Sequence, residues 1–159
     1  SSTSRGLGDV YKRQSEWSAN NLLRTLNWDD LDWMIKRWGG KVILKGIQDV
    51  EDAKMAVKTG ADAIVVSNHG GRQLDGALSS IRSLPSIIDA VGGKIEVWVD
   101  GGIRSGQDVA KAVSLGAKGV MIGRPFIYGL GAMGQGGVTK ALEIIQKEVD
   151  TTIAVCGEQ

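Results

Sequence analysis

The chain has 159 residues, 42% of them hydrophobic and 23% charged, with a formal net charge of +1. That length suits one modest domain with its own core, and a charge so near zero offers no broad attraction to nucleic acid or to an anionic membrane. A single cysteine, Cys156, excludes an internal disulfide, no apolar run approaches the ~20 residues that cross a bilayer, and one histidine with one cysteine makes no metal cluster.

Residues 1–14, SSTSRGLGDVYKRQ, lack an apolar period and are rich in small and basic residues. They read as an extraneous leader, with a disordered native tail as the alternative. Residues 15–27 read as a connector, so that 15–40 comprise this connector and a helix. In Trp28–Trp38 the apolar residues Leu31, Met34, Ile35 and Trp38 fall at i, i+3, i+4 and i+7. This spacing predicts a helix, stopped by Gly39-Gly40. Residues 41–159 then follow a rhythm. Lys41–Ile47 reads as an apolar strand. Asp49 can cap a helix to Thr59 that turns Ala53, Ala56 and Val57 inward and stops at Gly60. Residues 62–67 read as a second strand. After a polar, glycine-rich loop, a helix is expected from about Ser79, interrupted near Pro85 and resuming to Val91. Residues 94–100 read as a third strand, 107–115 as a helix with Gly116 as its stop, and 119–122 as a fourth strand. A short helix is expected over 125–130, a glycine-rich loop over 129–137, and a long helix over 137–155 with Val138, Ala141, Ile145 and Val149 in one stripe. Trp28, Trp33 and Trp38 read as packing residues, and Trp98 should face opposite to Val97 and Val99.

The pattern repeats at an offset of 56 residues: Asp52 matches Asp108, Ala56-Val57 matches Ala112-Val113, and Gly60-Ala61 matches Gly116-Ala117. Ile64-Val65-Val66 likewise matches Val120-Met121-Ile122, and Ile47 matches Ile103. Apolar strands without alternation, separated by helices, predict a parallel sheet covered by helices. Repetition of the unit favours a (β/α) barrel over a doubly wound sheet. Four strands are half of an eight-stranded barrel, so the expected fold is α/β, the C-terminal half (strands 5–8) of a (β/α)8 TIM barrel.

In a barrel the C-terminal ends of the strands carry the chemistry. Lys45, Ser67, Asp100 and Gly123 all stand at such ends. The second strand runs into Ser67-Asn68-His69-Gly70-Gly71-Arg72-Gln73-Leu74-Asp75-Gly76-Ala77. A histidine on its own packs a core or a surface more often than it reacts. Here it is followed by two glycines and by Arg72, whose planar fork suits a carboxylate. Asp100-Gly101-Gly102-Ile103-Arg104 and Gly123-Arg124 pair glycines with arginine. Such loops suit a phosphate when a helix N-terminus follows, and serve equally as tight turns.

Taken together, these motifs resemble the FMN-dependent 2-hydroxy-acid dehydrogenases and oxidases, most of all the bacterial L-lactate dehydrogenase type. The resemblance covers about residues 27–157. It implies that His69 is the base, with a pKa suited to the work, and that Arg72 binds the substrate carboxylate. It implies that Lys45 approaches the flavin N1 and C2 carbonyl, where a cation stabilises the charge of the reduced ring, and that Ser67 hydrogen-bonds the ring. Asp100 would then accept from a ribityl hydroxyl, with Gly101, Gly102, Ile103, Arg104, Gly123 and Arg124 around the FMN phosphate. Hydride transfer to flavin N5 and proton removal from Cα both fit these residues. The family's aspartate that holds the imidazolium comes from the first half of the barrel, and no segment here matches it. The partners implied are a small 2-hydroxy acid, an electron acceptor (quinone, cytochrome or oxygen) and further copies in a homotetramer. A cytoplasmic location is expected, or a peripheral one at the inner membrane face. The alternatives are another FMN- or phosphate-binding barrel, of the isopentenyl-diphosphate isomerase or inosinate dehydrogenase type, and a non-catalytic truncated fragment.

Overall fold

The computed structural model describes residues 26–157, so the leader and nearly all of the connector lie outside the described residues. The elements, in chain order, are α1 (Trp28–Trp38), β1 (Ile43–Ile47), α2 (Val50–Thr59), β2 (Ala63–Val66), α3 (Ser80–Val91), β3 (Glu96–Asp100), α4 (Gly106–Ser114), β4 (Gly119–Met121) and α5 (Arg124–Cys156). The four strands form one parallel sheet in the order β1-β2-β3-β4. Right-handed crossovers between strands taken in sequence place the connecting helices on one face. There Ile64, Val66, Val97 and Val99 meet Ala53, Ala56, Leu84, Ile87 and Ala112, each no more than 2% exposed. The other face of β1 and β4 is open, with Ile43 47% and Met121 39% exposed. Trp98 lies on this open face, opposite to Val97 and Val99, and its ring packs over Gly119.

The 56-residue repeat is present in three dimensions. Asp49 and Ser105 cap α2 and α4 through their side chains. Gly60 and Gly116 end those helices at positive φ. Ala61 and Ala117 return their N–H groups to the Ala56 and Ala112 carbonyls. Local chemistry also sets the strand ends. Lys41 and Val42 precede β1 because the Asp62 carboxylate takes the Val42 N–H at 2.8 Å.

Three expectations need correction. The helix over Pro85 is not interrupted: α3 runs unbroken from Ser80 to Val91. Its face of Ser83, Leu84, Ile87 and Val91 is buried against the sheet, which outweighs the hydrogen bond that Pro85 cannot make. The glycine-rich stretch 129–137 is not a nine-residue loop: within α5 two helices meet at a kink confined to Met133 and Gly134, so the expected short helix followed by a long one stands, with a much shorter break between them. At that break the chain doubles back, so that the backbones of Gly129 and Gly137 touch and neither position has room for a Cβ. The tryptophans of α1 do not all pack: Trp28 lies against the core, but Trp33 and Trp38 are 64% and 70% exposed. On α5, Val138, Ala141, Ile145 and Val149 are all half-buried, as their spacing predicts.

Candidate functional site

Three strand ends converge. In β1 the register with β2 slips between Lys45 and Ile47, and Gly46, at φ +103°, forms the bulge. The slip leaves Lys45 on the open face of the sheet. Its Nζ donates to Ser67 Oγ at 3.0 Å and pairs with Asp100 Oδ2 at 2.7 Å. Ser67 is 1% exposed, and its Oγ also accepts the His69 N–H at 3.1 Å. A hydroxyl that accepts twice still has its own proton to give. The other oxygen of Asp100, Oδ1, is buried without a hydrogen-bond partner.

His69 opens the short turn His69–Gly71 and is the one non-glycine residue at positive φ among the described residues, at +56°. That conformation costs an ordinary residue about 1–2 kcal/mol. Its imidazole lies against the Gly46 backbone, where a Cβ would stand 2.7 Å from Cε1. A side chain at 46 would therefore expel the ring from its present place.

Beside this cluster a cleft of about 550 Å³ opens at the C-terminal ends of the strands. Its walls include Lys45, Arg72, Asp100, Gly101, Gly102, Ile103, Arg104, Gly123 and Arg124. Nine of the eleven predicted site residues thus share one space. Ser67 is not in its walls but lies behind Lys45, and His69 stands next to it over Gly46. The cations outnumber the single carboxylate, so the cleft suits an anion. Another cleft of similar size, lined by Lys94, Glu96 and Lys118, lies at the opposite ends of the strands. It contains none of the predicted residues.

The two phosphate-type loops differ in a way the sequence did not suggest. The N-terminus of α4 is already occupied. Ser105 and Asp108 cap it reciprocally, and Glu148 from α5 accepts the Gly106 N–H at 2.7 Å. Burial pushes the Asp108 pKa up, but hydrogen bonds from the Arg104 N–H and from the Ser105 hydroxyl and N–H outweigh it and hold the carboxyl below its ordinary value. The N-terminus of α5 has no side-chain cap, so its first N–H groups face the cleft side of Gly123 with their positive end uncommitted. At the other loop Gly101 and Gly102 take φ of +94° and +83°, which turns backbone rather than side chain toward the cleft.

Sequence reasoning missed two residues here. Gly46 carried a signal, since an isolated glycine inside an apolar strand marks a bulge or a close approach. Asn68 carried none beyond its place next to His69. Its contacts depend on how the loop returns to the sheet.

The sequence profile described as FMN-dependent dehydrogenase matches residues 3–159. The L-lactate dehydrogenase of Caulobacter sp. (strain K31) is 53% identical over 141 residues, covering 89% of this chain and 37% of that protein. That of Pseudomonas paraeruginosa (strain DSM 24068 / PA7) is 49% identical over 156 residues, covering 98% and 41%. Among solved structures, a mandelate oxidase variant with a monooxide FMN adduct superposes with a TM-score of 0.82 at 50% identity, over 84% of this chain and 42% of that one. Mandelate oxidase with benzoyl-formic acid gives the same score and identity, over 84% and 40%. The chain thus spans about two fifths of the length of the relatives it matches. A match along nearly the whole chain, on a parallel α/β sheet with one cationic cleft at its strand ends, places this chain in the FMN-dependent dehydrogenase family.

Proposed function

We propose that this chain is the cofactor-bearing part of an FMN-dependent enzyme that oxidises an L-2-hydroxy acid, with L-lactate to pyruvate as the favoured reaction. In this reading β1–β4 are strands 5–8 of an eight-stranded barrel, and residues 41–159 carry the FMN and substrate motifs. The sequential parallel order, the internal repeat and the open face of the sheet support it. The observation that carries the functional reading is the common cleft of Lys45, Arg72, Asp100, Arg104 and Arg124.

The residues present fit FMN. Asp100 Oδ1 is a buried acceptor in want of a hydroxyl donor, which a ribityl chain has. Arg104, Arg124 and the uncapped start of α5 offer charge and N–H groups to a phosphate. When bound, FMN supplies a two-electron acceptor for the oxidation. Arg72 would hold the substrate carboxylate with its planar fork. His69 would take a proton from the substrate, from its hydroxyl or from Cα, as the 2-oxo acid forms. Lys45, already donating to Ser67 and Asp100, places a fixed cation beside the site of reduction. In this reading a quinone, a cytochrome or oxygen takes the electrons onward, and the whole protein assembles as a homotetramer.

The test uses the longer protein that contains this chain. L-Lactate should bleach its flavin absorbance in a rapid-mixing experiment, and His69→Ala should slow the bleaching by about 10²–10⁴-fold. Arg72→Lys should raise the substrate concentration needed for half-maximal rate, since a point charge replaces a fork. Bleaching by His69→Ala at the normal rate would remove the base from this assignment. The mandelate oxidase neighbours favour aromatic 2-hydroxy acids as a second substrate class, and mandelate in the same assay separates the two.

A further inference from the structure

We propose that Asn68 is a positioning residue that fastens the loop carrying His69 and Arg72, an inference that rests on the reading of those two residues given above. The loop leaves the sheet after Ser67 and returns at Ser80, the first residue of α3 and 2% exposed. Asn68 ties the two limbs together at that neck. Its N–H donates to Ser80 Oγ at 3.2 Å, and its Nδ2 donates to the Leu78 carbonyl at 3.2 Å. Its Oδ1 accepts the Gly71 N–H at 3.1 Å and so closes the turn from inside. Gln48 Nε2 reaches the same Leu78 carbonyl at 3.1 Å.

The loop's other ties are local: the His69 N–H reaches Ser67 Oγ at 3.1 Å, and the Gly71 N–H also reaches the Asn68 carbonyl at 3.0 Å. Residues 69–76 are exposed, Leu74 is 68% exposed and Leu78 59%, so the loop has no core of its own. His69, Gly70 and Gly71 sit at φ of +56°, +70° and +72°, which a free loop would abandon at least at His69. The same neck abuts the glycine loop of β3. Ser80 Oγ and Asn68 Oδ1 are the nearest atoms to a Cβ placed on Gly101, at 3.1 and 3.6 Å. Asn68 therefore sets the imidazole and guanidinium in register with the anion cradle. An amide is needed because one side chain must give a hydrogen bond on one arm and accept one on the other. Aspartate keeps the acceptor and turns a second oxygen on the Leu78 carbonyl, and alanine loses both arms.

The experiment compares Asn68→Ala and Asn68→Asp with the parent in the FMN-loaded longer protein. Tryptic cleavage after Arg72, followed by mass spectrometry, should quicken about tenfold or more in Asn68→Ala, as the side-chain hydrogen bonds to Leu78 at the neck and from Gly71 in the turn are lost. It should quicken to a lesser degree in Asn68→Asp. Turnover should fall about 10–100-fold through misplacement of His69, with FMN affinity by fluorescence titration unchanged. Should Asn68→Ala not fold, Asn68→Asp and Ser80→Ala, each removing one tie, carry the same comparison. If the parent oxidises no 2-hydroxy acid, the functional reading fails and takes the positioning role with it, while faster cleavage in the variants still shows that Asn68 fastens the loop. Parent-like cleavage in the folded variants overturns the inference whatever the activity. So does faster cleavage with turnover unchanged, which leaves Asn68 a purely structural tie.

Discussion

A methyl group added at Gly46 would stand 2.7 Å from the His69 ring, on a residue whose φ of +103° already disfavours any side chain. Gly46→Ala should therefore cost about 1 kcal/mol or more of stability through the backbone. It should slow substrate oxidation by about 10²-fold through displacement of the base. Thermal melting and rapid-mixing kinetics on the same variant read the two effects apart, and an unchanged rate would show that His69 does not depend on this bulge. Lys45, His69, Arg72, Arg104 and Arg124, which the proposed reading has act by their own functional groups, stood out in the sequence because their chemistry is written in their type. Gly46 leaves space for the His69 ring, and Asn68 ties together the two limbs of the loop. That space and that tie exist only once β1 is bulged and the loop after β2 has come back to α3.

At the scale of elements, caps and stops were the easiest features to read, because each is a local contract between a side chain and nearby backbone. Asp49 and Gly60 were found in this way. The course of α3 was not, and that of α5 only in part, because glycine and proline signal a break only where tertiary contacts do not override them. In α3 the buried face carries the helix across Pro85, and in α5 the backbone contact of Gly129 with Gly137 needs those glycines within helical turns. The cap of α4 has a pH signature. The folded Asp108 carboxyl titrates below its ordinary value of 3.8, so its stabilisation is full above that value and is lost as pH falls through the lower folded value. Asp108→Asn should lower stability at neutral pH by about 1 kcal/mol and flatten the fall below pH ~4. Denaturant melts at several pH values, parent against variant, would show the two curves converging in acid. Parallel curves would mean that another carboxylate governs acid unfolding.

For the whole molecule, the parallel α/β class and the 56-residue repeat were visible in the sequence, since both depend on periodicity rather than on particular contacts. The two unpaired sheet edges followed only from counting strands. In the structure β1 and β4 each pair on one side, with Ile43 and Met121 exposed near those edges. Unpaired edges flanked by apolar side chains invite association. The isolated chain should show concentration-dependent light scattering, and Ile43→Lys with Met121→Lys should reduce it. Scattering that ignores both substitutions would point to the exposed tryptophans of α1 instead.

The repeat also supplies a matched pair for dissecting the site. Gly46 and Gly102 are 56 positions apart and share the same unusual backbone stance, at φ +103° and +83°. A Cβ at Gly46 collides with an imidazole, whereas one at Gly102 meets open space. Alanine at either position pays a similar conformational penalty, and only one of the two trespasses on a neighbour. Subtracting one melting curve from the other isolates the cost of that trespass, a measurement for which the protein carries its own reference.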